Sequence, residues 1–190
     1  MIGIPLGLLY SNAAEWWIHK HVLHGEGKSK KSYWSFHFHE HHNACRANDM
    51  HDPGYLRPLF GRHPQGKEAL GIVALMAVHA PLLPIAPFFT ATVWYSALRY
   101  HRNHKRSHLD VEWGKKNMPW HYDHHMGPDQ DQNWGVTRPW IDRFMGTAVP
   151  YHGTEAERKD IARRLERAAR KLRAKVQSED AAPTEVRVAA

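Results

Sequence analysis

The sequence predicts an all-α chain: a helical, membrane-associated bundle with a short or re-entrant apolar hairpin and a histidine-lined site for two metals. Three observations carry that expectation. Most of the 17 histidines stand in four tight groups at helical spacing. Residues 69–98 contain no Asp, Glu, Lys or Arg, yet Pro81, Pro84 and Pro87 interrupt them. A late segment opens on a capping pattern and then repeats apolar residues every three or four positions.

Residues 1–14 are uncharged and mostly apolar. That is shorter than the roughly 20 residues a spanning helix needs, so they read as the buried or interfacial start of a helix. Ser11 or Asn12 supplies an N-cap, and the helix is expected to run to residue 24, where Gly25 and Gly27 end it. No basic region precedes the apolar start, so a secretory signal is not expected. A basic turn follows (Lys28, Lys30, Lys31), then a second helix over about 33–47. Residues 52–64 hold Pro53, Gly54, Pro58, Gly61 and Pro64 and read as an ordered loop.

Three prolines within 69–98 should prevent one straight helix. Two halves of about 15 residues would each rise about 22 Å, short of the ~30 Å hydrocarbon core. A re-entrant hairpin or two short helices follows. Arg62 and Lys67 precede the stretch, and Arg99, Arg102, Lys105 and Arg106 follow it. Basic flanks mark the cytoplasmic side, which puts both ends of the hairpin there. A single crossing would leave the early and late histidine groups in different compartments. A buried hairpin in a soluble protein is the competing reading.

Residues 154–177 form a third kind of segment. Thr154 and Glu157 make a T-x-x-E capping box, and Ile161, Leu165, Ala168, Leu172 and Val176 form one stripe. Arg and Lys fill the other faces. Such a helix can lie on an anionic membrane or pack its stripe on the domain. The expected organisation is a catalytic-type domain over 1–153, this basic helix over 154–177, and a disordered tail over 178–190.

The formal charge of +7 favours anionic partners. Nucleic acid is not expected, because the basic residues are not interleaved with aromatics in a reading motif. Cys45 is the single cysteine, which excludes an intrachain disulfide and a four-thiolate metal site. Residues 39–43 read H-E-x-x-N and not the zinc-protease H-E-x-x-H. No E-x-x-H pair, phosphate-binding glycine loop or G-x-S-x-G elbow occurs.

The four groups are His19 with His24, His37 with His41 and His42, His104 with His108, and His121 with His124 and His125. Neutral imidazole is the commonest side-chain metal ligand, and ten of them exceed one coordination shell. Residues three or four apart share a helix face. His19 and His24, five apart, diverge by about 140° on an α-helix, which suits service to two different ions, and His42 is similarly turned from His37. His39 competes with His37 because it lies three before His42. His37 has His41 one full turn away. An imidazole shell suits Zn, Cu, Fe or Ni. Partners for the second ring nitrogens are sought among Glu15, Glu40, Asp110, Glu112, Asp123 and Asp129. His79 reads as a hydrogen-bonded core residue, and His21, His51, His63, His101 and His152 as surface or supporting residues. Trp120 is a candidate lining of a ligand path, or packing.

These residues resemble the fatty acid hydroxylase/sterol desaturase superfamily. The resemblance rests on Glu15-Trp16-Trp17-Ile18-His19 running to His24, then on His41-His42, His104 to His108, and His121 to His125. It continues in Asn133-x-Gly135-x-Thr137 and in Trp140 through Gly146-Thr147, over roughly residues 12–150. It implies two metal ions, iron with zinc possible as purified, at a cytoplasmic membrane face. It also implies O2 as co-substrate and a lipid substrate. His19, His24, His37, His41, His42, His104, His108, His121, His124 and His125 are the ligands it implies. The family's second group is usually H-x2-H-H. Phe38 stands where that pattern has histidine, so His37 and His39 remain alternatives for the third ligand. No fused haem domain is present, so a separate electron-donor protein is expected. The activity implied is hydroxylation of an unactivated C–H bond in a fatty acyl, sterol or related alkyl chain. Desaturation on the same site, or a non-redox zinc-binding membrane protein, are the alternatives.

Overall fold

The computed structural model describes residues 2–180, and no strand occurs among them. The chain divides into two compact units, 1–152 and 153–190. In the first, α1 spans Gly3–Trp17 and continues without a break into a π-helical segment, Ile18–Glu26. A second π-helical segment, His37–His42, leads into α2 (Asn43–Ala47). Pro53–Leu56 form a 3-10 turn, followed by α3 (Pro64–His79) and α4 (Pro87–Leu109), joined through a second 3-10 turn at Ala80–Leu82. Three short helices complete the unit: α5 (Val111–Asn117), α6 (Pro119–Met126) and α7 (Trp140–Met145).

The first helix begins about eight residues before the expected cap. Pro5 lies in its first turn, where a missing N–H costs nothing. The early residues instead form a close contact with α4. A Cβ on Gly7 would lie 2.8 Å from Cβ of Thr92, and one on Gly3 2.8 Å from the Phe89 nitrogen. Only glycine allows the two backbones to approach this far. Asn12, expected as a cap, is buried in mid-helix, and its Nδ2 donates to the carbonyl of Arg138.

The apolar stretch folds as a helical hairpin of α3 and α4. Pro64 and Pro87 start the two helices and Pro81 lies in the connecting turn, so each avoids a helix interior. Trp94 Nε1 ties the arms together by donating to the carbonyl of Met76. Tyr10 approaches from α1, its hydroxyl 3.0 Å from His79 Nε2. No described helix is long and apolar enough to cross a membrane. The outer faces of α1, α3 and α4 are nonetheless apolar and exposed: Ile2 is 76% accessible, Val78 75% and Ile85 82%, with Leu9, Leu70 and Phe88 more than half exposed. Exposed apolar residues in this number suit contact with a membrane or a protein.

The interior is unusual in the opposite sense. A small apolar cluster joins Met50, Tyr122, Met126 and Tyr151. Among the largest fully buried side chains, however, eight are histidines: His24, His41, His42, His104, His108, His121, His124 and His125. The centre of the fold is therefore imidazole.

In the second unit, α8 runs over Glu155–Asp180, extending past residue 177. The rest of the expected tail, 181–190, lies outside the described residues.

Candidate metal centre

The first unit gathers ten histidines into two adjoining groups. Ring nitrogens of His19, His24, His37, His42 and His124 lie within 4.8 Å of one another. His104, His108, His121 and His125 form the second group on the same measure. His41 completes it, with ring centroids 5.1 Å from His104, 4.5 Å from His108 and 4.8 Å from His125. The groups touch where the rings of His42 and His125 come within 4.1 Å.

Helix type decides which histidine joins which group. Residues 18–26 and 37–42 are π-helical, with hydrogen bonds from i to i+5. Residues five apart then return to one side. His19 and His24 accordingly enter the same group, and so do His37 and His42, whose Nε2 atoms are 3.2 Å apart. This corrects the expectation, drawn from α-helical geometry, that each pair diverges. His41 turns the other way into the second group. On the α-helical segments the spacing of four holds: His104 and His108 share a group, as do His121 and His125. His37 lies inside the first group, whereas His39 faces outward with its Nε2 2.9 Å from the Lys28 carbonyl. His79 is bonded within the hairpin, and His21, His51, His63, His101 and His152 belong to neither group.

The outer nitrogens are held by groups mostly different from those expected. Nδ1 of His19 lies 2.6 Å from the Trp134 carbonyl, Nδ1 of His124 2.6 Å from that of Gln132, and Nδ1 of His108 3.0 Å from that of Met50. Asp52 takes His41 Nδ1 at 2.7 Å, and Glu68 takes His104 Nδ1 at 3.1 Å. Asp131 stands 3.5 Å from His24 Nδ1. None of the six expected carboxylates does this work. Glu15 binds the Val136 and Thr137 amides, and Glu40 pairs with Lys67. Asp110 caps α5, Glu112 pairs with Lys115, Asp123 accepts from the His152 amide, and Asp129 from the Asp131 amide. Asp52 and Glu68 carried one faint signal: Glu68 is the last acid before the uncharged stretch. The carbonyls carried none, because any residue has one.

Backbone strain aims two of those carbonyls. Met50 is left-handed (φ 76°) although it is not glycine, and its carbonyl meets His108. Asn133, at φ 56°, separates the two carbonyls that hold His124 and His19. Its side chain is locked to Val149 by two hydrogen bonds of 2.8 Å. Buried Asp142 accepts from Trp134 N, Gly135 N, Thr147 Oγ1 and Trp16 Nε1. The closing signature is thus scaffolding: it clamps the loop that orients His19 and His124. Trp120 belongs to it too, donating from Nε1 to the Val136 carbonyl, and does not line the cavity described below.

A carbonyl only accepts, so the Nδ1 atoms of His19, His108 and His124 carry the ring proton. Their Nε2 atoms then present lone pairs. In the first group those Nε2 atoms crowd to 3.0–3.2 Å from other Nε2 atoms. In the second, Nε2 of His41, His104 and His125 have no hydrogen-bond partner among the described residues. Burial, reinforced by neighbouring histidines, pushes His19, His37, His42, His108, His121 and His125 well below the usual imidazole range. Burial likewise lowers His124 to about 4. Neutral, convergent lone pairs without donors repel one another unless a cation lies between them, so the donor set fits metal ions. Cys45, buried behind His41 and His108, has its thiol pushed up by burial and adds no charge.

An apolar cavity of about 290 Å³ borders the first group. Its lining comes from α1, the π-helical segment that follows it, α3 and α4, and includes Ile18, Ile72, Leu75 and Val93 together with His19, His37 and Glu68. Burial raises Glu15, also on its wall, to about 7 despite donors from Thr137 and Val136.

Within one all-helical unit, two buried imidazole groups that could hold metal ions stand beside an apolar cavity. The chain belongs to the fatty acid hydroxylase family, which it matches over residues 4–147 and whose members are membrane-associated enzymes of lipid hydroxylation or desaturation. No curated protein and no solved structure matches it.

Proposed function

We propose that this chain is an O2-dependent di-iron hydroxylase acting on an unactivated C–H bond in a fatty acyl, sterol or related alkyl chain. The observation that carries the reading is the meeting of two features: ten convergent imidazoles and an apolar cavity whose lining includes His19 and His37. His19, His24, His37, His42 and His124 would hold one ion. His41, His104, His108, His121 and His125 would hold the other. Iron in these positions would activate O2, a strong oxidant that is kinetically inert toward such a bond, so that two electrons and two protons leave one oxygen in the product hydroxyl and the other in water.

The chain's own residues do the rest. The carbonyls of Met50, Gln132 and Trp134, with Asp52 and Glu68, fix the tautomer and direction of five imidazoles. Ile18, Ile72, Leu75 and Val93 seat an alkyl chain and exclude water from it. Electrons would come from a separate donor protein. The exposed apolar faces of α1, α3 and α4 would sit in the membrane. Arg62, Lys67, Arg99 and Arg102 at the hairpin ends favour a cytoplasmic position for the metal site and termini.

The test compares lipid extracts from cells making the protein with those making His124→Ala, alongside metal analysis and iron spectroscopy of the purified chain. Iron with O2-dependent appearance of a hydroxylated lipid supports the proposal. A new double bond would assign a desaturase. Redox-silent zinc with no change in lipids, persisting after iron reconstitution, would overturn it. The reconstitution matters because metals exchange during preparation.

A further inference from the structure

The C-terminal unit presents a surface that the chemistry above does not use. α8 is capped locally: Thr154 Oγ1 accepts from the Glu157 amide at 3.3 Å, and Glu157 Oε2 from the Gly153 amide at 2.6 Å. From there, Ile161, Leu165, Leu172 and Val176 align along one side at spacings of three and four, with Ala168 between them. They are 39%, 66%, 64% and 46% exposed, respectively. Residues 155–177 hold nine Lys and Arg against four Asp and Glu, and all four acids lie at or before 166. The last eleven of these residues are therefore purely basic in charge. At 100° per residue, Lys171 and Arg173 flank the stripe on either side of Leu172.

We infer that α8 lies along an anionic phospholipid surface, with its stripe at the acyl boundary and its basic flanks among the headgroup phosphates. Each half of the helix surface then meets its complement. An exposed apolar stripe leaves water, and Lys and Arg snorkel to negative charge. The 4-3-4 spacing would also suit pairing with a second copy. The run over 167–177, whose charged residues are all basic, opposes bringing two such helices side by side, whereas an anionic surface favours it. The inference rests on α8 alone and holds whether or not the first unit is a hydroxylase.

The test uses the full chain in nanodiscs of phosphatidylcholine, with or without phosphatidylglycerol. Leu165→Cys carries an environment-sensitive fluorophore, and wild type, whose Cys45 is buried, gives the labelling background. The expected result is blue-shifted emission with phosphatidylglycerol, reversed by high salt. In Lys171→Gln/Arg173→Gln, docking should weaken by about 25-fold, at roughly fivefold per charge. Emission that is the same in both lipids would overturn the inference. So would a shift that ignores salt, or one that grows with the number of chains per disc, since that reports self-association.

Discussion

Glu68 and His104 meet at 3.1 Å, Oε2 to Nδ1, between the two arms of the apolar hairpin at the end away from its connecting turn. The same oxygen accepts from the Tyr55 hydroxyl at 2.5 Å, and the other carboxylate oxygen lies 3.2 Å from His101. Burial would raise Glu68, but His104, His101 and Tyr55 hold it well below the usual carboxylate range. An ionised carboxylate therefore fixes His104 from behind while also bordering the cavity. Glu68→Gln should weaken metal retention at the second group by about tenfold, and Glu68→Ala by up to about 100-fold. Chelator competition measures this, and wild-type retention in both variants would remove Glu68 from the site.

Two histidines separate ligand from bystander. His124→Ala removes a buried member of the first group and should lower metal content and abolish lipid turnover. His63 only caps α3, accepting from the Gly66 amide at 3.2 Å. His63→Ala should cost about 1 kcal/mol of stability and leave metal and activity in place. Metal analysis of the two purified variants decides; equal losses at both positions would refute the assignment.

The cavity predicts a change in substrate preference without a change in metal. Gly71 lines it, and a Cβ there would meet only the Trp34 ring at 4.0 Å. Gly71→Ile should fill the space, raise KM for long chains and shift turnover to shorter ones while metal content stays at the wild-type level. Unchanged chain-length preference would show that the lipid binds elsewhere.

Gly135 sits where no side chain fits: its Cβ would fall 2.3 Å from the Arg138 carbonyl oxygen and 2.9 Å from Asp142 Oδ2. Gly135→Ala should destabilise the fold by about 2–3 kcal/mol and loosen the loop that holds His19 and His124. Thermal unfolding and metal content together check this, and a variant with wild-type values would deny the clamp its role.

Acid should destabilise the chain. His124 falls from an ordinary 6.5 to about 4 in the fold. Between those values the unfolded chain binds the proton that the folded one refuses, so stability drops as pH falls, by about 1.4 kcal/mol per unit for each such group. His19, His24, His37, His41, His42, His108, His121 and His125 shift in the same direction, and bound metal competes with the same protons. Denaturant titrations from about pH 7 to about pH 5 should show a falling midpoint together with metal release.

Much of the fold was legible in the chain. The charge-free stretch with its prolines announced the hairpin because proline placement obeys local sterics. The gathering of the ten histidines was legible because imidazoles clustered at helical spacing fall on shared faces. Their division between two groups was not. It depends on whether residues 18–26 and 37–42 wind as α or π, and H-x4-H reads correctly only in the wider helix. The supports at Met50, Gln132 and Trp134 were invisible because they are backbone atoms. Their direction comes from dihedral angles at Met50 and Asn133, which no side-chain pattern encodes.

An interior of imidazole has a consequence for the life of the polypeptide. Most domains collapse around oil; this one would have to condense around nitrogen lone pairs that attract nothing until a cation arrives. Metallation and maturation would then be one event, and starvation for the metal would deplete the protein itself through proteolysis of immature chains before it idled a finished catalyst.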